Sequence, residues 1–156
     1  MTAITTPSID GKAPAPAEMA VRRLPVRSVR VYWPVSGRTL ARVGSGDVDV
    51  LREDESFAAL LHVLRTSACA GDFGVYRDVF EVGVGVEGFT TGHGARPTFG
   101  SVGDSSLSPT LTVTTHIDAR TPDAEISRLL SRVLDAHPWE VPVVELSAPF
   151  DLVFRA

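Results

Sequence analysis

Four histidines (His62, His93, His116 and His137) and a single cysteine, Cys69, are the side chains of this sequence best suited to metal ligation or nucleophilic chemistry. Among acids that could join them, Glu140, Glu145 and Asp118 stand out, and His93, His116, His137 and Glu140 form the candidate set for a divalent metal ion. No two histidines have the i, i+4 spacing with which one helix presents two ligands, so the fold itself would have to gather such a site. Cys69 would need a base to act as a nucleophile. His62 is about two helical turns away, too far to hydrogen-bond, and the expectation is a small half-buried thiol. Ser36, Ser45 and Ser101 lie in no nucleophile-elbow context.

Glycine offers a different chemistry. Gly83, Gly85 and Gly88 spell G-x-G-x-x-G, but a dinucleotide fingerprint works by leading into a helix whose amides meet the pyrophosphate, and here Phe89, Thr90, Thr91, Gly92 and Gly94 follow. Seven of the thirteen glycines fall between 83 and 103. A loop so rich in glycine can present backbone amides, and Arg96 with them, to a small anionic ligand.

The elements that must position these residues are read from periodicity. Val29, Val31, Trp33 and Val35 alternate with polar residues, which predicts a half-buried strand from Ser28. Phe57, Leu60, Leu61, Leu64 and Ala68 have helical spacing, with Gly71 beyond them. Tyr76, Phe80, Val82, Val84 and Val86 predict a second strand, and Leu111, Val113, Thr115 and Ile117 a third whose other face is unusually polar. Thr121 as N-cap and Pro122 at the first position open a second helix with the stripe Ile126, Leu129, Leu130, Val133 and Leu134. Pro138 ends it, and a fourth strand runs from Val141 to Leu146.

Between these elements, residues 36–54 read as an inserted loop with a short hairpin, and 87–108 as a long glycine-rich loop, functional or disordered. Residues 1–26, poor in large apolar side chains and carrying Pro7, Pro14, Pro16 and Pro25, read as a disordered leader to a domain spanning 27–156. Arg22 and Arg23 do not make an export signal, because Pro25, Arg27 and Arg30 break the apolar run that should follow.

Strand, helix, strand, strand, helix, strand implies an α+β fold of ferredoxin-like βαββαβ order, a four-stranded antiparallel sheet with two helices on one face. The first and third strands become neighbours. Their outer residues, Arg30 and Tyr32 beside Thr112, Thr114 and His116, form an open polar face that an oligomer would cover.

At 156 residues, 44% hydrophobic and with formal net charge −4, the chain can bury a core without disulfides. Mild acidity excludes a basic nucleic-acid surface, and no apolar run reaches the length of a membrane helix. A lone cysteine suits the reducing cytoplasm.

Three phrases, Ala70-Gly71-Asp72-Phe73-Gly74-Val75-Tyr76, Gly92-His93-Gly94-Ala95-Arg96-Pro97 and Ala136-His137-Pro138-Trp139-Glu140-Val141-Pro142, resemble the small domain found within or at the end of NIF3-like proteins. The last phrase is shared with divalent-cation-tolerance CutA proteins. The likeness covers residues 28–35 and about 57–148. It implies a PII-like, ferredoxin-like fold, a trimer, and a loop where effectors and partners bind, which singles out His93, Arg96 and Thr98. The CutA likeness also implies a divalent metal. Val141 stands where the family has a second acid, no cysteine lies near Val79, and 36–54 is an addition. The metal-binding core of NIF3 proteins has no counterpart among the phrases that match, so no hydrolase chemistry carries over.

The resulting expectation is a cytoplasmic, non-enzymatic PII/CutA-like binding or regulatory module, a homotrimer engaging a small ligand, a metal ion or a protein partner through the 87–108 loop and subunit clefts. Two rivals come from other classes. One is a metal-assisted enzyme, with His93, His116 and an acid at a subunit interface; the other is a structural assembly subunit.

Overall fold

The structure, a computed structural model, describes residues 20–155. It is a mixed α+β fold with one antiparallel five-stranded sheet and four helices. In chain order the elements are β1 (Val21–Pro34), α1 (Gly37–Gly44), α2 (Val50–Glu53), α3 (Glu55–Arg65), β2 (Phe80–Thr90), β3 (Ser105–Asp118), α4 (Asp123–Ala136), β4 (Val144–Leu146) and β5 (Phe150–Arg155). The strands lie in the order β2-β3-β1-β4, with β5 also paired to β1.

Alternation along β1 and β3 decides which face becomes core. Val29, Val31 and Trp33 of β1 and Leu111, Val113 and Ile117 of β3 are buried with Phe57, Leu60, Leu61 and Leu64 of α3 and Ile126, Leu129 and Val133 of α4. Each such side chain contributes about 1.5–3 kcal/mol of burial, far more than helix propensity supplies, so both helices are held by the sheet. Asp54 caps α3 by accepting from the Phe57 amide at 3.0 Å. Gly71 adopts φ +65°, and a Cβ there would strike the Val79 backbone, so glycine is required where the chain turns back toward β2.

Several expectations give way. The sheet has five strands rather than four, because Val21 to Val26, assigned by sequence to the leader, pair with Arg155 to Phe150 of β5. Pro25 is tolerated there since proline can occupy strand positions that do not donate to the ladder. Residues 1–19, the rest of that leader, lie outside the described residues. The 36–54 segment is not a hairpin but two short helices. Ser36 caps α1 by accepting from the Thr39 amide, and Arg42 is clamped by Asp47 at 2.7 Å and Glu53 at 2.6 Å. These polar locks carry no hydrophobic period, which is why periodicity misses them.

The second strand starts at Phe80, not Tyr76, because Asp78 turns the chain at φ 55°. At the other end β4 is confined to Val144–Leu146, and Pro122, not Thr121, stands at the N-cap of α4. The 87–108 loop is shorter than the sequence suggests. Glu87↔Ser108 through Thr90↔Ser105 continue the β2–β3 ladder, leaving 91–104 as the connection. Among the described residues no helix is long and apolar enough to cross a membrane.

Candidate functional site

The site grows out of the β2–β3 hairpin and the turn after α4. Residues directly paired across an antiparallel ladder share a face, so Glu81, Gly83, Gly85, Glu87 and Phe89 of β2 stand with Thr114, Thr112, Thr110, Ser108 and Ser106 of β3 on the face opposite the helices. The three glycines of the G-x-G-x-x-G letters are thus mid-strand, with no helix after them. Beyond Thr90 the connection folds back toward the segment following α4.

Two hydrogen bonds fasten it there. The Arg96 backbone N–H donates to Glu140 Oε2 at 2.8 Å, and the Thr98 hydroxyl donates to the Pro138 carbonyl at 3.0 Å. Aromatic packing adds to the closure: Phe89 meets Trp139 edge-on at 5.5 Å and Phe99 at 6.5 Å. Between the two segments lies a cleft of about 240 Å³, lined by Glu87, Phe89, Thr91, Phe99, Trp139 and Glu140, with Ala95, Pro97, Thr98 and Val141 also in its walls.

His137 underpins this arrangement. Its Nε2–H donates to the Tyr32 carbonyl at 2.8 Å, its Nδ1 accepts the Trp139 N–H at 3.1 Å, and its ring stands edge-on to Trp33 at 4.7 Å. With 7% exposure and both nitrogens engaged, it is fixed as one neutral tautomer, and burial holds its pKa below the usual histidine value. The imidazole therefore joins the sheet to the cleft's floor through backbone groups of both.

Two polar atoms of the cleft lining are buried without a hydrogen-bond partner, Glu87 Oε2 and Thr91 Oγ1. Burial raises the Glu87 pKa above the ordinary glutamate value. Such atoms are costly unless something else satisfies them, and this pair sits where a ligand would.

The sequence-selected residues distribute as follows. His93 and Arg96 are exposed on the connection and neither lines the cleft; Arg96 contributes its backbone rather than its guanidinium. Thr98 lines it and fastens it. Glu140 is in the wall, whereas His116 lies at the far end of the sheet, near Phe73 and Phe150, with its Nδ1 buried and unpartnered. His93, His116, His137 and Glu140 are not brought together, and among the described residues no three His, Cys, Asp or Glu side chains are grouped to hold a metal.

On the open face Arg30 pairs with Thr114, Tyr32 with Thr112 and Ser28 with His116. Glu145 takes Arg30 at 3.1 Å and the Tyr32 hydroxyl at 2.8 Å. Cys69 is half-buried and burial pushes its thiol pKa up, the reverse of an activated nucleophile. Sequence reasoning passed over Glu87, Thr91, Phe89 and Phe99, since glycines hide the period there. The alternation of Glu81 and Glu87 against Val82 and Val84, extended two residues, is the signal that could have found Phe89.

No protein-family model matches the sequence, and no curated protein matches it. Among solved structures, a Bacillus cereus protein related to NIF3 has a similar fold, with TM-score 0.53 and 17% sequence identity over 86% of this chain. This chain spans 28% of that one. At such identity the likeness is one of fold.

Proposed function

We propose that the chain is a non-enzymatic, PII/CutA-like binding or regulatory module, built on a ferredoxin-like unit and assembled as a cytoplasmic homotrimer, whose ligand site is the cleft under residues 91–104. The observation that carries this reading is the fastening of the glycine-rich connection to the Pro138–Glu140 turn over an aromatic cavity. A connection of this length held at two points is positioned for binding rather than left as slack. The strand order, with α3 and α4 against one face, supports the ferredoxin-like description, β5 being an extension of the same edge as β4. Support for assembly comes from the outer edge of β2, unpaired among the described residues, and from the exposed Val84, Val86 and Leu107 beside it. A head-to-tail contact at such an edge, repeated with a closing rotation, makes the ring that this reading requires.

Binding rather than catalysis is favoured because no hydroxyl of the lining is hydrogen-bonded to a carboxylate or histidine among the described residues: Thr98 donates to the Pro138 carbonyl, Thr90 pairs with Ser105 and Thr91 is unpartnered. Native mass spectrometry of protein taken directly from cells tests the reading. The expected result is a three-copy assembly carrying a small-molecule adduct. A monomer without adduct, whose melting temperature is unchanged across nucleotides, amines and divalent metals, would overturn it.

A further inference from the structure

The charge of the cleft points away from the anion that its glycines and Arg96 suggest. Its ionisable lining consists of two acids, Glu87 and Glu140, and no Arg, Lys or His lines it. An anion entering would meet two carboxylates and no cationic side chain to compensate for the hydration it loses.

Three observations define what fits instead. Glu87 Oε2 is a buried acceptor with nothing donating to it. Thr91, only 6% exposed, holds an unpartnered hydroxyl in the same lining. Phe89, Phe99 and Trp139 meet at interplanar angles of 67°, a corner of aromatic surface of the kind that attracts cations. The volume, about 240 Å³, lies below the roughly 300–1,000 Å³ of sites for drug-sized ligands, which restricts the occupant to a small molecule.

We propose that the cleft binds a small primary ammonium compound, its N–H group donating to Glu87 and its apolar body lying against Phe89, Phe99 and Trp139, with Thr91, about 13 Å further along the strand, at the other end of that aromatic surface. This rests on the reading of the cleft as a ligand site and names the class of ligand. It also gives the buried carboxylate its missing partner. Glu140, with one oxygen already accepting from Arg96, adds negative potential at the rim and ties ligand binding to the fastening of the loop.

Trp139 supplies the readout, since its indole N–H signal in a ¹H–¹⁵N correlation spectrum can be told from that of Trp33 with a Trp139→Phe variant. The full chain is titrated with benzylammonium chloride and, at matched ionic strength, with sodium benzoate, which has similar shape and opposite charge. Saturable movement of the Trp139 signal by benzylammonium, with none by benzoate, is expected. Glu87→Gln then weakens binding by about tenfold, as for loss of a charge-assisted hydrogen bond. A retained melting transition shows that the variant folds. Benzoate binding as tightly as benzylammonium would overturn the ammonium assignment while leaving the cleft a ligand site. Silence of Trp139 toward both probes would overturn the assignment and the site together, and benzylammonium binding indifferent to Glu87→Gln would overturn the role given to Glu87.

Discussion

Glu145 and Glu87 are borne by the same sheet, yet they are placed in opposite circumstances. Glu145 is half-exposed and satisfied by Arg30 and Tyr32. Glu87, across the face and at the mouth of the loop cleft, keeps an oxygen buried with no donor. The polar face around Arg30, Tyr32, Thr112 and Thr114 is thus neutralised from within, as a solvated or assembling surface should be. The cleft holds an unmet demand, and unmet polar groups inside a folded protein call for an external partner. A carboxylate's role follows from what its neighbours leave undone.

The strongest way to break this contrast is to remove the support both regions share. His137→Ala deletes two hydrogen bonds and the contact with Trp33, and should cost about 2–4 kcal/mol in urea unfolding while freeing the 91–104 connection to proteolysis. If stability and protease resistance are both retained, the histidine does not hold the cleft.

The two glutamates themselves come next. Glu87→Gln removes a part-buried charge whose Oε2 has no partner and, because the rest of the carboxylate is solvated, should raise stability by no more than about 1 kcal/mol, whereas Glu145→Gln should lower it by no more than about 1 kcal/mol, because its ion pair is open to solvent. Equal effects of the same sign would erase the distinction.

pH sharpens it further. The Glu87 pKa is raised above 4.5 in the folded chain, so its favourable contribution is complete below 4.5 and is lost as pH rises through the folded value. The stabilisation given by Glu87→Gln should therefore grow as pH rises above 4.5. His137 runs the other way. With its folded pKa depressed below 6.5, its contribution is full above 6.5 and is lost as pH falls toward the folded value. Melting curves of the parent, Glu87→Gln and His137→Ala across that range separate the two slopes.

The smallest effects concern the connection. Thr98→Val loses one hydrogen bond and should cost about 0.5–1.5 kcal/mol, while Arg96→Ala, which keeps the backbone N–H that reaches Glu140, should stay within about 0.5 kcal/mol. An Arg96→Ala loss larger than that of Thr98→Val would mean that the guanidinium takes part.

How much of this was legible beforehand depends on which force shaped each segment. Where burial did, as at Val29, Val31 and Trp33 or Ile126, Leu129 and Val133, the periods of two and three to four are plain and the elements follow. α1 and α2 are held by Ser36, Asp54 and the Arg42 clamp, which leave no apolar rhythm. β5 was hidden because its partner, Val21 to Val26, is rich in arginine and contains proline. The site was half visible: the phrases around Gly92 and His137 mark the two sides of the cleft. What joins them is a backbone N–H, a hydroxyl and a set of ring contacts across forty residues or more, and local spacing cannot express such contacts.

The central claim is that Glu87 is a carboxylate waiting for a donor, and the direct test is a ¹³C titration of its side-chain carboxyl with and without benzylammonium. In the free protein the midpoint should lie above 4.5 and move down when the amine is present. A midpoint at or below 4.5 that the amine does not move would contradict it.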